Sequence, residues 1–389
     1  GPVLILGLGG GGAAVVRRVG QYGVRSPVVA VVADTDQTVL EASTEVETLP
    51  LSGEWTAKQG AGGDAMVGER AAAATSAELE ELIRPARLIL VATSLAGGTG
   101  AGAARVVTRI ARQHQITTIL VGTLPFSFEG SARTRDAEAA LAPLRSLADI
   151  AVAVPNDTLF NVLTADTPAP EAFAMTDRIL ARVLLGLARL SVSQGLLPAD
   201  LGRLQRLLHR RSAHCCLGAG TGEGDERWKQ AVEEFLACPL LGGDAMVEAA
   251  DFAVLTLTGP PDMGIGEVRL CLNALEQRFD EDAQLIVGTY TNPDIAGLEI
   301  TGVLGRYTDR SSFVPGAETT PSDVVAKAAE TNAAGNEGER RRERSKKGHR
   351  KPGHVQAELP LQEQKLGIFA ASPATSHHGD NLDIPTFQR

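Results

Sequence analysis

The most constraining feature of this sequence is a seven-residue run, Ala96-Gly97-Gly98-Thr99-Gly100-Ala101-Gly102. It follows a short apolar stretch at 88–91 and precedes a helical pattern that opens at Ala103 and runs to Gln113. A stretch so poor in side chains lets backbone N–H groups approach an anion, and a helix N-terminus behind it adds a favourable dipole. The surrounding chain is then expected to consist of strand–loop–helix units. Apolar runs at 3–6, 28–32, 118–121 and 150–154 read as further buried strands of a parallel sheet, with helical stretches such as 133–148 between them. Aromatic residues make up only 4% of the chain while Gly numbers 42, which suits an α/β protein whose backbone meets a ligand closely.

The periodicity changes near residue 170. Phe173, Leu180, Val183, Leu184, Leu187 and Leu190 recur at three- and four-residue steps. They predict one long helix over 171–193, apolar on more than one face and so packed between two units. Strand patterns at 213–217, 252–257, 285–290 and 298–302, with helices at 226–237 and 266–279, predict a second α/β unit with a mixed sheet. After about residue 314 the apolar period stops, which predicts a disordered linker. The expected organisation is a first domain at 1–170, a central helix at 171–195, a second domain at 196–315, a linker at 316–380 and a terminal segment at 381–389. In that last segment Leu382, Asp383, Ile384, Pro385 and Phe387 have the look of a short docking peptide.

Composition excludes several classes. Four cysteines, two of them adjacent (Cys215, Cys216) and none in a Cys-x-x-Cys pair, argue against a disulfide scaffold and a zinc site. They suit a reducing, cytoplasmic compartment. No apolar run reaches the roughly 18 residues of a membrane span, and no secretory leader pattern is expected. Direct membrane insertion is therefore not expected. Residues 339–351 carry eight Lys/Arg and two Glu, a local +6 on a chain of net charge −10, which leaves −16 on the remainder. An acidic body is unsuited to binding nucleic acid over its surface, and the basic run reads as solvated charge.

Other residues point toward a nucleotide. Gly7-Leu8-Gly9-Gly10-Gly11-Gly12 follows the first strand. A phosphate cradle, a tight turn, or the dinucleotide site of an NAD-dependent oxidoreductase explains it about equally, although the last leaves the 96–102 run without a purpose. Asp34 and Asp36 are ligand-facing residues, or turn and N-cap residues. Asp177 offers the acceptor carboxylate that guanine N1–H and N2–H₂ need, or is an exposed helix residue. Arg133 is a phosphate-binding cation or a surface helix arginine.

Together these segments resemble the tubulin/FtsZ family. The 96–102 run matches the family signature at every position. Asp34-Thr35-Asp36 is similar to its Asn-Thr-Asp loop, and Gly60-Ala61-Gly62-Gly63-Asp64 to its γ-phosphate loop. Residues 123–133 resemble its Pro-Phe-x-Phe-Glu-Gly-x-x-Arg stretch, 154–157 its Pro-Asn-Asp stretch, and 258–264 with the tail point to the FtsZ branch. The resemblance implies an α/β fold: a Rossmann-like GTP-binding domain, a long central helix, a second domain with a mixed sheet, and a disordered tail. It implies GTP or GDP as ligand, with Mg²⁺ coordinated by water and phosphate and no protein metal cluster. The phosphates would lie against Gly9, Gly10, Gly11, Gly12, Asp34, Asp36, Gly60, Gly62, Gly63 and the run Ala96, Gly97, Gly98, Thr99, Gly100, Ala101, Gly102. Glu129 would hold the ribose, Arg133 the ribose and phosphates, and Asn156 would assist. Phe173 would stack on guanine and Asp177 would pair with it. The resemblance further implies GTPase activity, head-to-tail self-assembly, a cytokinetic ring at mid-cell, and docking of the terminal peptide on membrane-tethering division proteins.

Departures from the family pattern modify that expectation. In the family a loop after the central helix reaches the next subunit's γ-phosphate. Here it reads Gly195-Leu-Leu-Pro-Ala-Asp-Leu-Gly-Arg203. Asp200 matches the first acid, or is a helix N-cap. Pro198 replaces an Asn and Arg203 replaces the second acid. An arginine stabilises phosphate charge but accepts no proton. Hydrolysis should then be slow, and a polymer that barely hydrolyses is the alternative. Ala14 replaces an Asn, losing a hydrogen bond of about 1 kcal/mol, and Asp64 puts a carboxylate where the family has an amide.

Overall fold

A computed structural model of the chain describes residues 1–52, 60–164, 166–192 and 213–308, with the short pairs 376–377 and 380–381. Its first sheet holds β1 (Val3–Leu8), β2 (Val28–Asp34), β3 (Glu47–Pro50), β4 (Leu88–Ser94), β5 (Thr117–Leu124) and β6 (Ile150–Pro155). All neighbours are parallel, in the order β3-β2-β1-β4-β5-β6. The interleaved helices are α1 (Gly9–Gln21), α2 (Gln37–Glu41), α3 (Ala65–Ala74), α4 (Ser76–Ile83), α5 (Gly98–Gln113) and α6 (Ser131–Leu147). The strands are apolar on both faces because helices cover both; β1 is buried along its whole length. The direction of strand addition reverses between β1 and β4. In open α/β sheets the crevice at such a reversal, beyond the strands' C-terminal ends, is where ligands bind.

Two expectations about these elements need correction. The 96–102 run is not a loop ahead of a helix that opens at Ala103: α5 already starts at Gly98, and α1 likewise starts at Gly9. The glycines therefore form the first turns themselves, so the unpaired N–H groups of both helices sit among them. The strands also run past their apolar cores, β4 through Thr93 and Ser94, and β3 was not signalled at all. Sheet pairing holds small polar or exposed residues that an apolar pattern cannot register.

α7 (Ala169–Val192) is the long helix, about 36 Å at 1.5 Å per residue. It lies against the second sheet, formed by β7 (Ala213–Gly222), β8 (Phe252–Gly259), β9 (Gln284–Thr291) and β10 (Leu298–Tyr307) in the order β7-β10-β8-β9. β10 is antiparallel to β7 and β8, and β8 is parallel to β9. The sheet is mixed, as expected. α8 (Arg227–Leu236), α9 (Asp244–Glu248) and α10 (Ile265–Glu276) complete this half. One buried core spans both halves through α7, whose Leu180, Val183, Leu184, Leu187 and Leu190 are nearly inaccessible. The two halves together form one compact unit, Gly1–Pro315.

Gly186 sets how closely α7 approaches the second sheet. Its carbonyl accepts the Thr256 hydroxyl at 3.0 Å, and a Cβ there would lie 1.9 Å from Thr301 Oγ1 and 3.0 Å from Thr301 Cβ. Rotating the Thr301 hydroxyl away leaves the second overlap in place. Gly186→Ala is expected to destabilise the fold by about 1–3 kcal/mol, the usual cost of overpacking. Thermal unfolding without nucleotide checks this, and an unchanged midpoint would mean that the contact yields freely. Farther along the same contact, the buried Glu299 carboxylate on β10 stands 3.6 Å from Arg182 and 3.7 Å from Arg189. Burial pushes Glu299 above the usual carboxylate range, and the two arginines pull it back.

Residues Gly316–Arg389 form a separate unit. Within it, β11 (Ser376–His377) and β12 (Asp380–Asn381) pair antiparallel where no element was expected. A two-residue ladder is too short for a hydrophobic period to announce. Among the described residues no helix is long and apolar enough to cross a membrane.

Candidate nucleotide-binding site

Three glycine-rich segments, distant in sequence, meet at the reversal point between β1 and β4. They line a pocket of about 120 Å³: Gly9, Gly10 and Gly11 from the start of α1, Ala61 and Gly63 from the turn before α3, and Gly97, Gly98, Thr99 and Gly100 from the start of α5. Leu8 and Ser94, where β1 and β4 end, complete the lining. Two segments pack backbone against backbone. Gly9 has a φ of +69°, and a Cβ on it would lie 2.8 Å from the Gly100 nitrogen. Around Gly10, by contrast, nothing lies within 4 Å of a Cβ position. That open face, under two helix N-termini, fits a chain of phosphates.

Not every expected residue lines the pocket. Gly12, Ala101 and Gly102 are buried behind it: a Cβ on Gly12 would meet the Ala92 carbonyl at 2.3 Å, and one on Gly102 the Ala65 carbonyl at 2.2 Å. These glycines set helix packing rather than the cradle. Ala96, Gly60 and Gly62 also lie outside the lining. Asp36 is half-buried and caps α2, accepting from the Thr38 hydroxyl at 2.7 Å and the Thr38 N–H at 2.8 Å, which holds its carboxyl below the usual range. Asp64 caps α3, accepting from the Met66 N–H at 2.7 Å. The local need of a helix start accounts for a carboxylate there. Asp34 is only 2% exposed, and beside it the Thr35 and Thr99 hydroxyls are 2.6 Å apart, tying the turn after β2 to α5.

Glu129, Arg133, Asn156, Phe173 and Asp177 also lie outside the lining; Glu129 accepts from the Phe126 N–H at 2.8 Å and stands 3.4 Å from Arg133, which is half-exposed. Asn156 is buried and its Oδ1 has no partner. Phe173 is 40% exposed, with its edge against Phe126 at 5.1 Å between centroids. Asp177 follows one turn later on the same face of α7. Burial raises its carboxyl to about 6, against the pull of Arg18, Arg17 and Arg178. Arg17 and Arg18 were not foreseen from the sequence; the available signal was their position about one and a half turns beyond the first glycine run, on the helix it starts. Ala61 and Ser94 were missed as well, since neither residue type carries a distinctive chemistry. Asp200, Arg203 and Leu382, Asp383, Ile384, Pro385 and Phe387 lie outside the described residues. Among the described residues no group of three or more His, Cys, Asp or Glu could hold a metal ion.

Comparison with known proteins agrees with this geometry. Residues 2–164 match the model of the tubulin/FtsZ family GTPase domain, and residues 213–304 that of the FtsZ family C-terminal domain. Cell division protein FtsZ 1 of Halobacterium salinarum is 32% identical over 330 residues, 82% of each chain. FtsZ of Haloferax mediterranei is 31% identical over 303 residues, 78% of this chain and 79% of the relative. Among solved structures, an FtsZ dimer from M. jannaschii superposes with a TM-score of 0.72 at 26% identity, covering 82% of this chain and 94% of that one. A GTPγS-bound CetZ2 protofilament from Haloferax volcanii shares the fold, with a TM-score of 0.62 at 21% identity over 80% of this chain and 95% of that one. These matches displace the oxidoreductase reading of the first glycine run. With both of its halves matched, the chain belongs to the tubulin/FtsZ family, as a divergent FtsZ-like GTPase.

Proposed function

We propose that this protein binds GTP in the pocket between β1 and β4, polymerises head to tail, and hydrolyses GTP slowly where one subunit's Asp200 meets the next subunit's nucleotide. The observation that carries this reading is the meeting of three glycine-rich segments under the N-termini of α1 and α5. Backbone N–H groups of these turns would hold the phosphates. Phe173 would stack on the base, Asp177 would accept from guanine N1–H and N2–H₂, and Glu129, Arg133 and Asn156 would hold the sugar side. Mg²⁺ held by water and phosphate would offset the phosphate charge.

Asp200 would orient the attacking water. Arg203 can stabilise charge there but cannot take a proton. The loss of that acid favours a second reading, a GTP-dependent scaffold that hardly hydrolyses. We place the protein in the cytoplasm at the division site, with Leu382, Asp383, Ile384, Pro385 and Phe387 docking on a membrane-tethering division protein.

The test is GTP turnover as a function of protein concentration, followed together with light scattering in GTP and in GDP. Turnover is expected to appear only above a threshold concentration and to vanish in Asp200→Ala. Arg203→Asp is expected to raise it by at least roughly tenfold, since one positioned acid contributes about 10²–10⁴. Turnover per molecule that is independent of concentration would reject catalysis across a subunit junction. Scattering with GTP but without phosphate release, in wild type and Arg203→Asp alike, would favour the scaffold.

A further inference from the structure

Asp34 ends β2 beside the phosphate-facing turn of α5, where the family resemblance puts an asparagine. Its side chain is 2% exposed. Oδ1 accepts from the Thr35 N–H at 2.6 Å and the Asp36 N–H at 3.1 Å. Oδ2 is buried and has no partner.

Among the described residues, the elements packed around this carboxyl supply no cation. β1 contributes Leu8, β3 contributes Pro50, and the start of α5 contributes Thr99, whose hydroxyl is paired with Thr35 and also pulls weakly on Asp34. Among the described residues, the ionisable group that bears on Asp34 is another carboxylate, Asp36 at the start of α2. An ionised Asp34 would thus be a buried charge with one oxygen unsatisfied, in company of its own sign. Such a charge is costly unless something neutralises it. Phosphates bound over Gly98, Thr99 and Gly100 would add more negative charge next to it.

We propose that the phosphates and a proton bind together: Asp34 carries a proton on Oδ2 whenever the phosphate pocket is filled. This inference rests on the GTP reading above. The proton comes from solvent, and the carboxylate becomes a neutral acid; no other bond changes. Burial already pushes the Asp34 carboxyl above its usual range in the nucleotide-free protein, against the two backbone N–H donors and the Thr99 hydroxyl. Nearby phosphate pushes it further in that direction to the extent that no cation offsets the phosphate charge. The demand is opposite to that of Asp177 at the base, which must be ionised to accept from guanine. Affinity for a guanine nucleotide should then fall on both sides of an optimum, with the acid limb set by the base and the alkaline limb by the phosphates.

The experiment is calorimetric titration of the full chain with GDP, and separately with guanosine, in two buffers of different ionisation enthalpy. It is run above about pH 8, where the nucleotide's own terminal phosphate, with a second pKa of about 6, is already ionised. Wild type is expected to take up a proton with GDP and none with guanosine. Its GDP affinity should fall by up to roughly tenfold per pH unit along the alkaline limb. Asp34→Asn, nearly the same in shape, should bind GDP without uptake and with that limb flattened. Equal uptake and equal profiles in the two proteins would overturn the proposal, as would wild-type binding that follows added salt cation with no proton taken up. The comparison of GDP with guanosine in wild type stands even if the variant folds poorly. Failure of wild type to bind either ligand would instead reject the GTP reading.

Discussion

Asp177→Asn is expected to make the nucleotide-free protein more stable and to cost it at least roughly 100-fold in GTP affinity. Both effects follow from one buried carboxyl. For affinity, the carboxylate can accept two hydrogen bonds from the guanine edge. Hydrogen bonds to a charged group contribute about 1.5–3 kcal/mol each, and every 1.4 kcal/mol is tenfold in binding. The asparagine amide keeps one acceptor but turns an N–H₂ toward a guanine donor. For stability, the sign follows from the direction in which burial moves the group. Burial raises the Asp177 carboxyl from 3.8 to about 6 in the folded protein. The folded chain therefore holds that proton more tightly than the unfolded chain. The stability associated with the proton is fully present below about pH 4 and is lost as pH rises through about 6. At neutral pH and above, the ionised side chain costs on the order of 3 kcal/mol, since each tenfold gain in proton affinity on folding corresponds to about 1.4 kcal/mol. The variant escapes that cost. Its melting temperature should exceed that of wild type near pH 7.5, and the gap should close as the pH drops through about 6. Melting curves of both proteins at several pH values, alongside nucleotide titrations, decide this. A variant that binds GTP like wild type would remove Asp177 from the base site; a gap indifferent to pH would remove the buried charge as its cause.

Two adjacent glycines should respond in opposite ways to the same substitution. Gly9→Ala puts a side chain on a residue with φ of +69° and drives its Cβ to 2.8 Å from the Gly100 nitrogen. Left-handed backbone costs an alanine about 1–2 kcal/mol, and overlap in a packed region about 1–3 kcal/mol more. The melting temperature should fall by several degrees, since 1 kcal/mol corresponds to about 2–4 °C in a domain of this size. Gly10→Ala meets nothing within 4 Å, so the fold should melt as wild type does. Its methyl group would occupy the open face of the cradle, however, and GTP affinity should fall by at least roughly tenfold, the effect of losing a single hydrogen bond of about 1.4 kcal/mol. Guanosine, which has no phosphate, should bind Gly10→Ala and wild type alike. Equal GTP affinity in Gly10→Ala and wild type would mean that the phosphates do not approach this face.

The sequence carried much of this architecture because several of its signals are local. A buried parallel strand is a short apolar run. A helix N-terminus among glycines is a statement about a handful of consecutive residues. Phe173 and Asp177 share a face because a helix repeats every 3.6 residues. The missed features are of another kind. β3 is mostly exposed and has no apolar run to announce it. Arg17 and Arg18 look like any surface arginines until α1 is placed against α7 and their charges bear on Asp177. Glycine itself is ambiguous in sequence. Gly10 faces an open cradle, and Gly12, two residues later, is held against the Ala92 carbonyl.

By itself the sequence determined the buried strands, the long helix, the glycine-rich turns and the face of α7 that presents Phe173 and Asp177, since each depends on backbone preferences over a few neighbouring residues. Only the tertiary structure decided which glycines meet a ligand and which meet another helix, that Asp36 and Asp64 serve helix starts, and that Asp34 is sealed from solvent with one oxygen unpaired. Burial and partnership are set by elements far apart in the chain: Thr35 reaches its partner across 64 positions at Thr99, and Gly186 finds its limit at Thr301.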